Sequence, residues 1–214
     1  MKHRRIKVLV ADDHPIVRRG VKQIIEESSD MVVSGEASSG SEVLDRVADS
    51  DYDVLLLDIS LPGRSGLDIL KQVKSMKPTL PVLVLSIYPE EQYAIRALKS
   101  GASGYLTKGR APDELKEAVR KISKGHKYIT SSLAEKLADR LSGGMGELPH
   151  ETLSDREYEV MCMIASGKMV SRIAEELSLS VKTISTHRSR LLKKLALKNN
   201  AELTRYAIEH KLVD

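Results

Sequence analysis

The sequence predicts an α/β fold, a doubly wound five-stranded parallel sheet, followed by a second, all-α domain of four helices. Residues 4–124 alternate short apolar runs with segments whose apolar residues recur at helical spacing. Residues 152–214 carry four helical patterns and no convincing strand pattern. A glycine-rich stretch at residues 142–149 lies between the two parts and is typical of a flexible linker.

Each strand of the first domain is predicted from an apolar run that ends at polar or turn-forming residues. The runs are residues 6–10, 31–33, 54–57, 82–85 and 104–106. Helical patterns follow every run, beginning near residues 17, 40, 67, 90 and 115. Strands that alternate with helices in this way form a parallel sheet covered on both faces. We therefore predict a first domain at 4–124, a linker helix and flexible linker at 125–149, and a second domain at 150–214.

The composition is that of a globular protein, with 41% hydrophobic and 30% charged residues. The chain has no Trp and no Phe, so its cores must be largely aliphatic. No apolar run approaches the roughly 20 residues of a membrane span, and residues 6–10 are too short for a signal peptide. We therefore expect a cytoplasmic protein with no membrane partner. The single Cys162 lies among apolar residues and is predicted to be a buried structural thiol.

Positive charge is concentrated near the C-terminus. Residues 1–127 contain 21 Lys and Arg against 18 Asp and Glu, which nearly balance. Residues 180–201 contain seven Lys, Arg and His residues and no acid. This asymmetry favours an anionic partner for the second domain.

Polar side chains follow four of the five predicted strands. Asp12 and Asp13 follow the first strand, Asp58 the third, Ser86 the fourth and Lys108 the fifth. The carboxyl ends of parallel strands meet at one edge of the sheet, where ligands bind. Carboxylates brought together repel, so a cation is expected, and oxygen ligands without a His or Cys cluster favour Mg²⁺. The pattern therefore predicts a magnesium site at this edge.

The same residues predict phosphoryl chemistry. Lys108 supplies a positive charge for a phosphoryl oxygen, and Ser86 can donate a hydrogen bond to one. A carboxylate such as that of Asp58 could accept the phosphoryl group, helped by positioning and charge neutralisation. Taken singly, each residue has an ordinary explanation, since an Asp pair after a strand often caps a helix and Asp58 could start a turn. Their coincidence at four strand ends favours a functional site.

With these residues in place, residues 4–124 resemble a receiver domain of the chemotaxis-regulator type, which has a flavodoxin-like fold. The resemblance is carried by residues 8–13, 57–63, 85–86 and 101–108. It implies that a sensor histidine kinase phosphorylates Asp58. It also implies that Mg²⁺ is held by Asp13 and Asp58, with Asp12 close by and the carbonyl of Ser60 as a further ligand.

The resemblance further implies a switch. Ser86 would move to bind the phosphoryl group beside Lys108, and Tyr105 would rotate inward with it, changing the surface around residues 88–108. Many receivers have Pro after the Lys, whereas this chain has Gly109. That departure concerns the local backbone and not the Lys itself.

Residues 170–196 predict a helix-turn-helix. A short helix with apolar residues at 173, 174 and 177 is followed by a tight break, where Ser180 can cap the next helix. One face of that second helix carries Lys182, Thr186, Ser189 and Lys193 at helical spacing. Such a helix can enter the major groove of double-stranded DNA while Lys and Arg contact phosphates. The alternative is an ordinary solvated basic helix.

Residues 150–214 resemble the LuxR-type domain of the NarL-like regulators. The resemblance rests on matches from Leu153-Ser154 through Lys194-Leu195. It places base-reading positions on Ser185, Thr186 and Ser189, and the first and last of these are often Lys in relatives, so no base preference carries over. The motif also includes Thr183, and the residues better suited to phosphate contact are Lys182, His187, Arg188, Arg190 and Lys193. The last helix, residues 201–210, would form a dimer contact in this family or would close the domain core.

Together these features predict a two-component response regulator that is not an enzyme. Phosphorylation of Asp58 would shift the protein towards a DNA-competent homodimer and so control transcription. One alternative is a Mg²⁺-dependent phosphohydrolase with an Asp nucleophile, but such enzymes usually have Asp-x-Asp where this chain has Asp58, Ile59 and Ser60. The other is a regulator that works without phosphorylation, which the complete set of strand-end residues argues against.

Overall fold

A computed structural model describes residues 4–142 and 148–213. The chain forms two compact units that divide between Ala134 and Glu135. Most of the predicted flexible linker, residues 143–147, lies outside the described residues. Among the helices that the structure describes, none combines the length and the apolar character needed to cross a membrane.

The first unit is built on a five-stranded sheet in which all neighbouring strands are parallel, in the order β2-β1-β3-β4-β5. The strands are β1 Ile6–Ala11, β2 Met31–Ala37, β3 Val54–Asp58, β4 Val82–Ser86 and β5 Gly104–Thr107. The helices between and after them are α1 Pro15–Glu26, α2 Gly40–Asp49, α3 Gly66–Met76, α4 Glu90–Lys99 and α5 Pro112–Ser123. The predicted doubly wound α/β fold is confirmed.

Apolar side chains project from both faces of the sheet, as the continuous apolar runs of β1, β3 and β4 predict. One face packs against α1 and α5 in a core that includes Val10, Ile25, Leu56, Leu83 and Val119. The other face lies against α2, α3 and α4, and the alternate residues of the strands are equally buried there. The two layers of helices cover both faces of β3 and β4, whose polar residues lie at their carboxyl ends.

Lys127 and Tyr128, which the sequence placed in the linker, contact the edge of the sheet. The Tyr128 backbone N–H donates to the Ser103 carbonyl over 2.8 Å, and Tyr128 forms a parallel bridge with Gly104. The Lys127 Nζ donates to the Ala102 carbonyl over 2.6 Å. The next helix, α6 (Ser131–Ser142), starts directly after this edge segment.

The second unit contains a short 3₁₀ helix, Pro149–Thr152, and four α-helices: α7 Asp155–Ala165, α8 Val170–Glu176, α9 Val181–Lys194 and α10 Asn200–Glu209. Ser154 and Glu157 form a capping box at the start of α7. After α7 the chain reverses at Gly167, which has a φ of +83°. The Ser180 side chain accepts from the Thr183 backbone N–H and caps α9, as predicted.

The core of the second unit lies between α7, α9 and α10. Cys162 is buried there, as expected from its apolar neighbours. On α10, Leu203 and Ala207 are fully buried, whereas Ile208 is about half exposed. The last helix therefore closes the core with one face and leaves an apolar side chain on another.

Candidate phosphorylation site and nucleic-acid interface

The predicted acidic cluster lies where the winding of the sheet changes direction. β1 and β3 are neighbours in the sheet although β2 follows β1 in the chain, so a crevice opens at their carboxyl ends. Asp12 and Asp58 lie at this edge and are 3% and 1% exposed. Ligand atoms of Asp12, Asp13, His14 and Asp58 all lie within 4.8 Å of one another. The structure thus brings the three predicted carboxylates together.

Lys108 lies between two of these carboxylates. Its Nζ is 2.6 Å from Oδ2 of Asp58 and 2.6 Å from Oδ2 of Asp12. Burial raises the pKa of Asp58, and the positive charge of Lys108 opposes that rise without cancelling it. Burial alone would lower the pKa of Lys108, but the two carboxylates outweigh it and leave the pKa raised. Lys108 therefore stays protonated at the centre of the site.

The donor set fits a divalent cation. Oδ1 of Asp13 is buried and makes no hydrogen bond, although the His14 Nδ1 is 2.7 Å away. A buried carboxylate oxygen without a hydrogen bond is costly, and a metal ion would compensate that cost. Oδ1 of Asp58 is oriented by the Ser60 backbone N–H over 2.9 Å, which fixes this carboxylate towards its neighbours. Carboxylate oxygens are the ligands that Mg²⁺ prefers.

His14 was not identified from the sequence as part of this cluster. Its backbone N–H donates to Oδ1 of Asp12 over 2.9 Å, which helps to hold that carboxylate in place. The sequence indicated its place in the cluster only through its position directly after Asp13. Its side chain is 67% exposed, so its context in the sequence is that of an ordinary surface residue at the start of a helix.

Ser86 and Tyr105 lie on neighbouring strands beside Asp58. Ser86 is fully buried, and its Oγ accepts from the Tyr88 backbone N–H over 3.0 Å. The Tyr105 ring is 1% exposed, and its hydroxyl donates to the Tyr88 carbonyl over 2.8 Å. Burial raises the pKa of the Tyr105 phenol, which stays protonated as a donor. Tyr105 thus already has the inward position that the sequence associated with the switch.

The predicted DNA-contacting residues are distributed around one side of α9. Its buried side, Ile184, Leu191 and Leu192, faces the core. The exposed positions among the predicted contacts are Lys182, Ser185, Thr186, Ser189, Arg190 and Lys193, whereas Thr183, His187 and Arg188 are half-buried. The basic and hydroxyl residues thus form a polar surface on the helix that follows the turn.

Two hydroxyls on this surface bond to their own helix. Oγ1 of Thr186 donates to the Lys182 carbonyl over 2.9 Å, and Oγ of Ser189 donates to the Ser185 carbonyl over 3.0 Å. In this conformation each hydroxyl has its hydrogen engaged and presents acceptor lone pairs outwards. Both can therefore accept hydrogen bonds from a base edge.

His187 and Arg188 differ from the other cations of α9. The Nδ1 of His187 is buried without a hydrogen-bond partner, and burial together with nearby Arg156 lowers the His187 pKa. The imidazole is therefore neutral at pH 7 and cannot act there as a cation towards phosphate. The Arg188 Nε donates to Oδ1 of Asn200 over 2.6 Å, which ties the side chain to the start of α10.

An ion pair fixes α9 against α7. Lys194 Nζ lies 2.6 Å from Oε2 of Glu157, the residue that completes the capping box. Burial alone would raise the pKa of Glu157, but hydrogen bonds from Lys194 and Ser154 outweigh it and leave the pKa lowered. The sequence identified Glu157 as a cap and did not show that it also positions α9.

Comparison with known proteins supports both halves of this description. The chain matches the family model of the response regulator receiver domain over residues 8–120 and that of bacterial regulatory proteins of the luxR family over residues 151–207. Response regulator UvrY of Escherichia coli strain K12 is 36% identical over 208 residues, which cover 97% of this chain and 95% of UvrY. Response regulator GacA of Pseudomonas aeruginosa is 34% identical over 210 residues, which cover 98% of each.

Solved structures of RcsB from Salmonella are also similar. One RcsB response regulator of Salmonella typhimurium has a TM-score of 0.59 at 31% identity, with 95% of this chain and 98% of that chain covered. A structure of RcsB bound to promoter rprA in the presence of the phosphomimetic BeF3⁻ has a TM-score of 0.65 at 29% identity, with 94% and 98% covered. The chain therefore belongs to the response regulators that join a receiver domain to a LuxR-type DNA-binding domain.

Proposed function

We propose that phosphorylation of Asp58 by a sensor histidine kinase controls sequence-specific binding of α9 to double-stranded DNA, and through it transcription. The observation that carries the proposal is the position of Lys108, whose Nζ lies 2.6 Å from Oδ2 of both Asp58 and Asp12. A cation held against a buried carboxylate at a sheet edge suits the transfer of a dianionic group to that carboxylate.

In this proposal a carboxylate oxygen of Asp58 attacks the phosphorus of a phosphohistidine on the kinase. The P–N bond breaks as a P–O bond forms, and the leaving nitrogen takes up a proton from solvent, so the products are an aspartyl phosphate and the free imidazole. Lys108 offsets the charge on one phosphoryl oxygen, and Ser86, whose Oγ accepts from the Tyr88 N–H, would move to donate its hydroxyl hydrogen to another. The residues supply position and charge, and no proton has to be removed from the carboxylate nucleophile.

Mg²⁺ is the metal that the donor set favours. Asp12, Asp13 and Asp58 would hold it, together with the carbonyl of Ser60. When bound, the ion would neutralise charge on the phosphoryl oxygens and on the clustered carboxylates. The unbonded Oδ1 of Asp13 supports this assignment.

DNA is the proposed partner of the second unit. The exposed cations Lys182, Arg190 and Lys193 would contact phosphates, while Ser185, Thr186 and Ser189 would face base edges. RcsB, the similar protein, has been solved on promoter DNA and as dimers on two DNAs. We propose that this chain also binds as a homodimer, in which two copies of α9 read half-sites about one helical turn apart. The proposed partners place this function in the cytoplasm.

The test uses acetyl phosphate as donor and the Asp58→Asn variant. A duplex is first selected from random sequences with the wild-type protein in BeF3⁻. Wild type should gain one phosphoryl group by mass spectrometry and bind that duplex more tightly after treatment, whereas D58N should do neither. Stimulated DNA binding by D58N would overturn the proposal, and turnover of small phosphate esters by the wild type would support the phosphohydrolase alternative.

A further inference from the structure

Glu90, the first residue of α4, is a buried acid outside the phosphorylation site. Its Oε2 accepts a hydrogen bond from Oγ1 of Thr130 over 2.7 Å, across 40 residues of sequence. Its Oε1 is buried without a hydrogen bond and lies 3.8 Å from Nη2 of Arg110. Oε2 of Glu90 is thus hydrogen-bonded to Thr130, whereas Oε1 lies near Arg110 without forming a hydrogen bond to it.

Thr130 is the residue that starts α6. Its Oγ1 accepts from the Leu133 backbone N–H over 3.2 Å, and its carbonyl accepts from the Ala134 backbone N–H over 2.9 Å. The same hydroxyl therefore caps the helix and donates to Glu90. Leu133 is fully buried, so the first turn of α6 is packed in place as well as capped. The position of this turn depends directly on the position of the Glu90 carboxylate.

Glu90 is also connected to the loop that contains Ser86. The Tyr88 backbone N–H donates to Ser86 Oγ, and the Tyr88 carbonyl accepts from the Tyr105 hydroxyl. Only Pro89 separates Tyr88 from Glu90. A displacement of Ser86 would break or strain the first of these bonds and would therefore pull on the backbone that carries Glu90.

The loop after β5 reaches Glu90 from the other side. Arg110 is two residues beyond Lys108, whose backbone N–H donates to the Ser86 carbonyl over 2.8 Å. Both loops that would bind the phosphoryl group thus converge on one carboxylate. That carboxylate in turn holds the cap of the helix that leads along the chain to the second unit.

We propose that Glu90 is a positioning residue that transmits the state of the phosphorylation site to α6 by holding or releasing the Thr130 cap. The inference rests on the proposed function, because it needs Asp58 to be the phosphorylated residue. Two arrangements are available to the carboxylate: bonded to Thr130, or drawn towards Arg110 through the oxygen that is now unbonded. A group with two discrete sets of partners can bias a helix start between two states.

Two pairs of variants separate this role from simple stability. Glu90→Met removes the acceptor and leaves the Thr130 side chain unchanged, whereas Glu90→Gln removes the charge and keeps an acceptor oxygen. Thr130→Val removes the hydroxyl, and Thr130→Ser keeps it. Arg120→Ala is the matched control, because it breaks the ion pair with Asp30, at 2.8 Å, elsewhere in the same unit.

The measurement is amide hydrogen exchange in the full-length protein, with and without BeF3⁻ and Mg²⁺. We expect the Leu133 and Ala134 amides of the wild type to change protection when the analogue is added. In E90M and T130V they should exchange about five- to tenfold faster before addition, the effect of losing one hydrogen bond, and should no longer respond. T130S and R120A should respond like the wild type, whereas E90Q should keep the slow exchange and lose the response, because an uncharged amide is not drawn towards Arg110.

The amides around Tyr88 serve as the internal reference. If they respond in wild type and E90M alike while the first turn of α6 responds only in wild type, the inference holds. If the first turn responds equally in E90M, or does not respond in wild type although Tyr88 does, the inference is overturned and the proposed function stands. If neither region of the wild type responds and acetyl phosphate leaves Asp58 unmodified, the proposed function fails and this inference with it.

Discussion

The Nζ atom of Lys108 lies 2.6 Å from Oδ2 of Asp58, in a site where that carboxylate is 1% exposed. The same ammonium is equally close to Asp12, so a single cation compensates two buried acids. The ammonium offsets the repulsion between two buried carboxylates that each contribute an oxygen to a cluster within 4.8 Å. Replacing Lys108 or Asp58 should therefore change the stability of the first unit even without phosphorylation.

Replacement of Lys108 by Met should destabilise the first unit by about 3 kcal/mol near neutral pH, because two buried carboxylates lose their partner. Mg²⁺ should restore much of the loss, because the proposed ion would bind the same carboxylates in the folded state. Urea unfolding at pH 7 with EDTA and with Mg²⁺ measures both effects. Lys77→Met, which removes an ion pair with the 92% exposed side chain of Asp51, is the control and should show neither effect. A K108M protein as stable as wild type in EDTA would contradict this account.

The Asp58→Asn variant should become more stable than wild type as the pH rises in the absence of metal. Burial raises the pKa of Asp58 in the folded protein above its ordinary value. The folded state therefore binds the proton more tightly than the unfolded state, so this group's contribution is most favourable below pH 3.8 and declines as the pH rises through the folded pKa. Asn does not titrate, so the difference in the free energy of unfolding between D58N and wild type should develop between pH 3.8 and the folded pKa of Asp58. Urea unfolding in EDTA at several pH values measures it, and a difference that grows towards low pH would show that the sign is wrong.

Glu157 should make the second unit less stable as the pH falls, which is the opposite of the effect of Asp58 on the first unit. The pKa of Glu157 is lowered because Lys194 and Ser154 outweigh burial, so its stabilisation is present above pH 4.5 and is lost as the pH falls through the folded pKa. Glu157→Gln keeps the capping geometry but loses the charge, and should cost about 1 kcal/mol at pH 7 and nothing at low pH. Amide exchange within α7 and α9 as a function of pH measures the effect. Equal pH dependence of α7 protection in wild type and E157Q would disprove it.

The sequence predicted those parts of the site that follow from local rules. Apolar runs identify buried strands, and the edge at which parallel strands end is fixed by topology, so Asp12, Asp58, Ser86 and Lys108 could be placed together without a structure. β2 was predicted only at residues 31–33 but extends to Ala37, because it is an edge strand whose outer part is polar. In that part Gly35 lies against Tyr52, whose hydroxyl would clash with an added Cβ.

Contacts between residues far apart in the chain could not be predicted. Glu90 has the sequence context of any acid at a helix start, and its bond to Thr130 depends on how the segment after α5 returns to the edge of β5. That segment, around Tyr128, has no alternating pattern and was assigned to the linker. The bond from Arg188 to Asn200 likewise depends on the packing of α10, which helical periodicity alone does not determine.

Removal of an exposed cation of α9 should change the salt dependence of DNA binding, whereas removal of a hydroxyl should not. Lys182→Ala should weaken binding to the selected duplex and reduce the slope of log affinity against log salt by about 0.9, the value for one phosphate contact. Thr186→Ala should leave the slope unchanged and alter base preference at one position, because the hydroxyl of Thr186 presents acceptors and no charge. Arg205→Ala removes an exposed cation from α10, where Arg205 pairs with Glu209, and is the charge-matched control. Fluorescence anisotropy between 50 and 200 mM salt, about the range over which phosphate contacts are resolved, gives the slopes. If K182A and R205A lowered the slope equally, the effect would be one of net charge, and Lys182 would have no specific phosphate contact.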